Sequence, residues 1–310
     1  MKQLLKNTFL FCCVFVVLLY TLQLALSYRV KGKSILGYDT LDSTANINAN
    51  LVFLGSSRCW AHFDPVFFEE NYHLKSVNIG MNGFSELVAS EVRLKNYLSK
   101  NKAPKFAVLN FDPFVKVVNR EAIKTFTNKN NYAHFAFMPS HENLEMVDFF
   151  RFDNCEKYIP LYAIFKYKIL SDCVTLKNIN EFPKGYEANN EKWDTIKYPV
   201  TSKAKSFYLK PKDLPKLTNG LRELNLYCKS KHIRLVCIQT PVYTSGYDAA
   251  AFAMPKEVCQ KLGIPFIDTN DHSIITNINN FYNTTHLNVN GVIEMNKLLK
   301  NDKELTAILK

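Results

Sequence analysis

The sequence of 310 residues has few of the features that mark specialised classes of protein. It contains only 10 glycines and 12 prolines, no internal repeat and no low-complexity tract, which excludes collagen-like and disordered chains. It also lacks any Cys-x-x-Cys pair or other zinc-binding pattern, so neither a disulfide scaffold nor a zinc site is predicted. With 47% hydrophobic and 22% charged residues, the composition is typical of a globular protein with one large domain or two small ones.

Acidic residues are absent from the first 33 positions, and this accounts for much of the basic charge. The whole chain has a formal charge of +11, a balance that by itself would suit nucleic-acid binding. Residues 1–33, however, carry five basic side chains, and residues 116–212 carry sixteen basic and eleven acidic ones. The excess therefore lies at the amino terminus and in one internal segment, and no nucleic-acid partner is predicted.

One long hydrophobic run lies near the amino terminus. Residues 9–26, FLFCCVFVVLLYTLQLAL, contain no charge and would form a helix able to cross the hydrocarbon layer at about 1.5 Å per residue. We predict a single-pass membrane anchor over 1–33 and a polar linker over 34–50, with the rest of the chain outside the cytoplasm. The alternative is a cleaved secretory signal and a secreted protein, because Ala25 and Ser27 resemble the small residues of a signal peptidase site.

The cysteines are predicted to serve packing more than cross-linking. Cys228, Cys237 and Cys259 lie in apolar stretches with the pattern of helix or strand interiors, so we expect buried free thiols there. Cys155 and Cys173 are the pair best placed to close a loop as a disulfide, which an exported protein would permit.

Short apolar runs alternate with amphipathic stretches from residue 51 onwards. Strands are predicted at 51–57, 76–79, 106–111, 234–240 and 265–268. Helices are predicted at 85–100 with Ser85 as a cap, 214–229, 249–262 with an interruption at Pro255, and 289–299. The alternation indicates an α/β domain over 51–310 with a mainly parallel sheet and helices on both faces. In such sheets the ligand site lies at the carboxyl ends of the strands.

Residues 114–212 interrupt this alternation with an aromatic and lysine-rich sequence. We interpret the segment as an insertion that leaves the sheet at a strand end. A small helical cap with a solvated basic surface is the simpler interpretation. Interleaved aromatic and basic side chains are also able to stack on sugars or bases.

Three separated motifs at predicted strand ends carry the chemistry. The first strand ends at Ser57, the second ends in a turn that contains Gly80 and Gly83, and His286 stands just ahead of the last helix. A serine needs a neighbouring base to become nucleophilic, which an imidazole supplies, and an acyl-transfer intermediate needs N–H donors for its oxyanion. Together the motifs predict acyl transfer through a serine. His272, expected in a surface loop, is an alternative base.

In these motifs the sequence resembles the SGNH hydrolase superfamily, also called GDSL-like esterases, over about residues 51–300 apart from the insertion. The resemblance implies a flavodoxin-like, three-layer α/β fold in which Ser57 is the nucleophile and His286 the general base. It also implies that the N–H groups of Gly83 and Ser57 bind the oxyanion. Gly80 is expected to contact substrate. Arg58 is expected to bind a substrate carboxylate or phosphate, or else to bond a loop carbonyl.

Two positions depart from the pattern of that family. The block at 110–113, Asn-Phe-Asp-Pro, stands in place of Gly-x-Asn-Asp, so either Asn110 or Asp112 is expected to face the oxyanion. Asn283 stands in place of the acid that orients the histidine. An amide oxygen holds an imidazole tautomer but does not stabilise imidazolium as a carboxylate does. We therefore expect reduced activity, a serine–histidine dyad, or an acid recruited from Asp268 or Asp271.

The predicted function is that of an extracytoplasmic ester hydrolase or O-acyltransferase that acts on acyl groups of a cell-envelope carbohydrate, with no cofactor and no metal. A membrane segment ahead of the domain is similar to the exported proteins that acylate or deacylate polysaccharides, including those of alginate O-acetylation and teichoic-acid D-alanylation. A membrane protein that supplies the acyl donor is a further expected partner. The alternative is a catalytically inactive carbohydrate-binding or assembly protein.

Overall fold

The computed structural model describes residues 1–30, 44–116, 129–140, 149–176, 183–186, 189–201 and 203–310. The chain divides into two compact units. The anchor unit comprises Met1–Ser43 and Lys124–Glu181, and the α/β unit comprises Thr44–Ile123 and Phe182–Lys310. Residues of the insertion predicted at 114–212 belong to both units.

The α/β unit is built on a five-stranded parallel sheet. Its strands are β1 Leu51–Leu54, β2 Ser76–Asn78, β3 Phe106–Asn110, β4 Arg234–Gln239 and β5 Phe266–Asp268. Their order is β2-β1-β3-β4-β5, and Leu51 of β1 is in register with Ser76 and Phe106 on its two neighbours. This is the flavodoxin-like order of a doubly wound sheet, and the predicted α/β fold is confirmed.

Both faces of the sheet are covered, which explains why its central strands β1, β3 and β4 are mostly apolar. Successive side chains of a strand point to opposite faces. Val52 and Leu54 accordingly enter one hydrophobic cluster, whereas Leu51 and Phe53 enter a second one. The α/β unit is therefore three-layered, as predicted.

Helices supply the outer layers. Along the whole chain the described helices are α1 Lys2–Val30, α2 Ser57–His62, α3 Pro65–Tyr72, α4 Leu87–Leu98, α5 Asn154–Tyr158, α6 Tyr162–Lys166, α7 Leu170–Thr175, α8 Leu214–Ser230, α9 Ala249–Leu262, α10 His272–Ile275, α11 Val289–Asn301 and α12 Lys303–Leu309. The first cluster receives side chains from α4, α8 and α9, and the second receives them from α3, α11 and α12. A short antiparallel pair, β6 Phe281–Asn283 and β7 His286–Leu287, precedes α11.

Two local predictions are wrong. Helix α9 continues through Pro255, whose side chain is buried with the apolar face of that helix, so packing outweighs the one N–H that proline lacks. Ser85 does not cap α4, which begins at Leu87. The Ser85 carbonyl instead accepts from Lys116 N at 3.0 Å, and this pairing keeps the chain extended up to Glu86.

The anchor unit consists of one long apolar helix and a group of short helices. Helix α1 is long and apolar enough to cross a membrane, and only 11% of its most apolar stretch is buried, unlike the core helix of a soluble protein. Beside it, rings of Tyr132, Phe135, Phe150 and Phe152 contact one another. Residues 34–43 of the predicted linker lie outside the described residues.

The cysteine predictions have a mixed outcome. Cys228, Cys237 and Cys259 are buried free thiols, as expected. The predicted disulfide between Cys155 and Cys173 is wrong, because both thiols are free. Cys155 is exposed on α5 whereas Cys173 is buried on α7, so the two side chains lie in different surroundings.

Candidate active site

Ser57 lies where β1 ends and α2 begins. It is the first residue of α2, and Ser56 caps the helix by accepting a hydrogen bond from Arg58 N at 3.3 Å. The first N–H groups of a helix have no partner within that helix. The Ser57 backbone N–H, at the start of α2, therefore has no partner within that helix, and its predicted oxyanion role stays a prediction.

His286 lies next to Ser57 in space, although 229 positions separate them in the sequence. It is the first residue of β7, in the short antiparallel pair ahead of α11. Its Nε2 lies 2.9 Å from Ser57 Oγ, a hydrogen-bonding distance. The structure thus brings together the serine and the histidine that the motifs single out.

The other ring nitrogen of His286 is held by Asn283 and Thr285. Nδ1 lies 3.1 Å from Asn283 Oδ1 and 2.9 Å from Thr285 Oγ1. The backbone N–H groups of Thr285 and His286 also donate to Asn283 Oδ1, at 2.9 and 3.0 Å. Because both groups are donors, the side-chain atom of Asn283 that they contact is the amide oxygen and not the amide nitrogen. An acceptor beside Nδ1 places the ring proton there, so the Nε2 lone pair is left to accept from Ser57.

The imidazole of His286 is kept neutral. Burial, and secondly the positive charge of Arg58, lower its pKa to about 3. No carboxylate is recorded among its contacts with the described residues to oppose these effects. Such a ring is free to accept a proton at neutral pH but is a weak base.

The acids proposed as replacements for the missing carboxylate lie elsewhere. Asp268 Oδ1 accepts from the backbone and side chain of Asn270, at 3.0 and 2.7 Å. Asp271 is exposed and caps α10 by accepting from Ser273. The alternative base His272 is exposed on α10. The expected surface exposure of His272 is thus found, whereas neither it nor the two acids has a recorded contact with the serine–histidine pair, because each side chain is bound locally or faces solvent.

Arg58 is a buried structural residue. It is 2% exposed, and its Nε lies 2.7 Å from Asp112 Oδ2. Its remaining donors reach the carbonyl oxygens of Thr285 and Thr240 and the Thr240 hydroxyl. Of the two predicted roles, the structure contains the bond to loop carbonyls, and the guanidinium is not placed to bind a substrate anion.

Asp112 and Asn110 are likewise engaged behind the site. Besides its pair with Arg58, Asp112 accepts from Phe114 N at 3.0 Å, and an ionised carboxylate has no proton to donate to an oxyanion. Asn110 is buried, and its amide nitrogen lies 3.4 Å from the Ile238 carbonyl oxygen and 3.3 Å from Thr240 Oγ1. The predicted oxyanion role does not fit Asp112, and Asn110 is turned towards β4.

Gly80 and Gly83 have different positions in the turn after β2. The Gly80 N–H donates to Asn78 Oδ1 at 3.0 Å, and a Cβ at Gly80 would lie 3.0 Å from Trp60 N. Gly80 is thus a close-packed residue rather than a substrate contact. Gly83 is exposed at φ +83, in a turn closed by the bond from Phe84 N to the Met81 carbonyl. A positive φ at this third turn position favours glycine.

His62 is a site residue that the sequence motifs did not single out. It is fully buried on α2, with Nδ1 3.0 Å from Thr240 Oγ1 and Nε2 accepting from Leu287 N at 2.9 Å. Burial, then Arg58 and His286, lower the pKa of His62 well below its usual value. The neutral ring therefore ties β7 to α2, and with them His286 to Ser57. His62 is five residues after Ser57, about 1.4 helical turns, so helical spacing gave no signal for its role.

A metal site is not part of this arrangement. Among the described residues no group of three or more His, Cys, Asp or Glu side chains could hold a metal ion.

An open cavity of about 470 Å³ is lined by Lys229, His232, Arg234 and Gly263, among others. It lies at the amino end of β4, opposite to the strand ends that carry Ser57.

No protein-family model and no curated protein sequence matches the chain. Among solved structures, one described as a "putative acylhydrolase" from Bacteroides fragilis is 14% identical, covers 84% of this chain and 88% of its own, and has a TM-score of 0.36. A GDSL-like lipase from Bacteroides thetaiotaomicron is 10% identical, with coverages of 81% and 85% and a TM-score of 0.34. By its sheet order and its serine and histidine positions, the fold of this chain is similar to that of an SGNH or GDSL-like hydrolase.

Proposed function

We propose that the protein is a serine-dependent ester hydrolase or O-acyltransferase. The observation that carries this proposal is the 2.9 Å distance between Ser57 Oγ and His286 Nε2, with the ring proton held on the opposite nitrogen. A hydroxyl that donates to a neutral imidazole is the arrangement required for nucleophilic acyl transfer.

The reaction follows from this geometry. Ser57 Oγ attacks the acyl carbon while His286 Nε2 takes its proton, and the oxyanion forms near the N–H groups of Ser57 and Gly83. His286 then gives the proton to the leaving alcohol, which breaks the ester bond and leaves the acyl group on Ser57. Water or a second alcohol, deprotonated by His286, attacks the acyl-serine and restores the hydroxyl. Water makes the enzyme a hydrolase, and a sugar hydroxyl makes it a transferase.

The proposed substrate is an acylated carbohydrate of the cell envelope, met outside the cytoplasm by a membrane-tethered protein. Helix α1 supports the tether. Three half-exposed aromatic residues near the histidine support a sugar ligand: Tyr282 stacks on the His286 ring at 5.3 Å, and Tyr243 contacts Trp193 at 5.1 Å. Aromatic faces of this kind pack against the apolar faces of sugars. A membrane partner that supplies the acyl donor remains part of the transferase form of the proposal.

A serine-directed phosphonylating reagent tests the proposal directly. We expect a fluorophosphonate to modify the full-length protein at Ser57, because His286 activates that hydroxyl, and peptide mass spectrometry would locate the adduct. Ser57→Ala should abolish the label and His286→Ala should slow it strongly, whereas His272→Ala, which removes an exposed histidine, should label normally. Labelling that is absent, or equal in all four proteins, would refute the enzymatic proposal.

A second candidate function is a catalytically inactive carbohydrate-binding or assembly protein. Asn283 and the low pKa of His286 favour it, because the neutral oxygens beside Nδ1 stabilise the imidazolium that forms as Ser57 loses its proton less than a carboxylate would. A binding protein would keep the fold and the aromatic residues without turning over an ester.

Restoring a carboxylate beside His286 separates the two candidates. Asn283→Asp is expected to raise kcat/KM for an activated acetyl ester by about tenfold or more, because a carboxylate stabilises the imidazolium. It should also raise the pKa of His286 from about 3 towards the ordinary value. Activity requires the neutral ring, so the acid limb of the pH–rate profile should move to higher pH in the variant.

Asn279→Asp is the matched control, since it adds the same charge at an exposed position nearby in the sequence. It should leave both the rate and the acid limb unchanged. If Asn283→Asp gains no activity while the protein binds glycans, the inactive binding protein is the better assignment.

A further inference from the structure

The anchor unit exposes an unusual number of large apolar side chains on its short helices. Tyr158, Ile159, Tyr162, Phe165 and Val174 are between 39% and 61% exposed, and we call these five residues the apolar patch. Tyr162 and Phe165 are three positions apart on α6, so they lie on the same side of it. Large apolar side chains exposed together on a protein surface are typical of an interaction site.

The apolar patch lies beside the carboxyl-terminal part of α1. Leu161 N, between Ile159 and Tyr162, donates to Gln23 Oε1 at 2.7 Å. The carbonyl of Val174 accepts from Arg29 Nη2 at 2.9 Å. The patch is therefore continuous with the helix that is apolar enough to cross a membrane.

The position of Gln23 along α1 indicates how deep in the membrane its contact with Leu161 would lie. It lies within the uncharged run 9–26, three residues or about 4.5 Å before the end of that run at Leu26. The polar layer on each side of a bilayer is about 5 to 8 Å thick. If the run fills the hydrocarbon, the Leu161 backbone that reaches Gln23 lies about 4.5 Å inside the hydrocarbon, close below the boundary with the headgroups.

The hydrogen bonds of the Gln23 side chain support the same depth in the membrane. Its side chain is only 2% exposed, and its amide satisfies both Leu161 N and Ser27 Oγ. An amide inside lipid is costly unless it has protein partners. The anchor unit supplies a partner for Gln23 at the depth where water is scarce. The contact also favours retention of α1, because cleavage after Ser27 would remove Gln23 from Leu161.

The polar groups around the apolar patch suit a membrane interface. Lys166 Nζ lies 5.7 Å from the ring centre of Tyr162 and pairs with Asp153 and Glu156. Tyrosine and lysine side chains with apolar bodies and polar ends are characteristic of the interfacial layer. Exposed Phe165 and Ile159 would gain free energy from burial among the acyl chains.

We propose that the apolar patch inserts into the interfacial layer of the same membrane that α1 spans. The anchor unit is then attached to lipid by two elements, a spanning helix and a group of short helices that lie at the surface. The lipid bilayer is the proposed partner of the apolar patch. A second copy of the chain on the same patch is the outcome that the test must distinguish.

Lipid-depth fluorescence quenching tests this proposal with the full-length protein. Phe165→Trp places a reporter on the apolar patch at a position 58% exposed, where packing is little disturbed. In phosphatidylcholine vesicles brominated near the headgroup end of the acyl chains, we expect its emission to fall about twofold. Bromines placed deeper in the chain should quench it less. The fluorescence of Trp60 and Trp193 is measured on the unsubstituted protein in the same vesicles and subtracted.

Phe207→Trp is the matched control, because Phe207 is 68% exposed and belongs to the α/β unit. Its emission should be the same in brominated and plain vesicles. The comparison is made in vesicles that retain the protein at alkaline pH. If Phe165→Trp emits equally in the brominated and the plain lipid there, the proposal is overturned. A blue-shifted but unquenched Phe165→Trp would overturn it as well, in favour of a protein contact such as a second copy.

Discussion

Ser57→Ala is expected to lower kcat/KM for an activated acetyl ester by about 10³-fold or more. The hydroxyl that forms the acyl intermediate is then gone, and only oxyanion binding and substrate positioning remain. His286→Ala should cost a similar factor, because its Nε2 lies 2.9 Å from Ser57 Oγ and is the proposed base. The measurement is steady-state kinetics of the full-length protein with the two single variants.

The double variant provides the decisive comparison. When two groups act as a unit, removal of either one already removes the effect of both. The kcat/KM of the double variant Ser57→Ala with His286→Ala should therefore be no lower than that of either single variant. His272→Ala should retain the full rate, since this histidine is exposed on α10. If the losses of the two single variants instead multiplied, the serine and the histidine would be acting independently, and the proposed mechanism would fail.

Arg58→Met is expected to destabilise the α/β unit by about 3 to 5 kcal/mol. The substitution leaves the Asp112 carboxylate buried, at 2% exposure, with Phe114 N as its recorded donor. It also releases the carbonyls of Thr240 and Thr285. Chemical denaturation of the full-length protein in detergent would measure the change in the free energy of unfolding.

Two comparisons make the stability prediction specific. Lys297→Met breaks an ion pair whose side chains are 63% and 43% exposed, and it should cost less than about 1 kcal/mol. Asp112→Asn should cost less than Arg58→Met, because Arg58 keeps its carbonyl and hydroxyl acceptors. Equal losses from Arg58→Met and Lys297→Met would contradict the assignment of Arg58 as the buried centre of these contacts.

Much of the fold was predictable because its signals are local. Runs such as 51–54 and 235–238 are apolar over their whole length, which is typical of strands buried on both faces. The position of Ser57 after β1 was predictable for a related reason, whereas His286 lies in the separate antiparallel pair β6–β7 and not, as had been predicted, at the end of a strand of the parallel sheet. Parallel strands present their carboxyl ends at one edge, so residues there converge whatever their separation in sequence.

The errors concern which group a polar side chain would reach. Arg58 stood beside the serine in sequence and was open to a substrate role, but it turns inwards to Asp112. Asp268 and Asp271 were candidates to orient the histidine, yet each bonds its own turn. Thr285 was not singled out, although its hydroxyl lies 2.9 Å from His286 Nδ1. Such contacts depend on backbone direction in loops, for which a single sequence has no periodic signal.

The sequence by itself determined the α/β class, the apolar helix near the amino terminus and the two residues that form the candidate catalytic pair. Each depends on composition or spacing along the chain. Only the tertiary structure decided that Asn283 and Thr285 hold the histidine ring, that Arg58 is structural, and that His62 links Ser57 to the histidine strand. These are contacts between residues up to 229 positions apart, and side-chain direction and burial, which arise only when the layers pack, select among them.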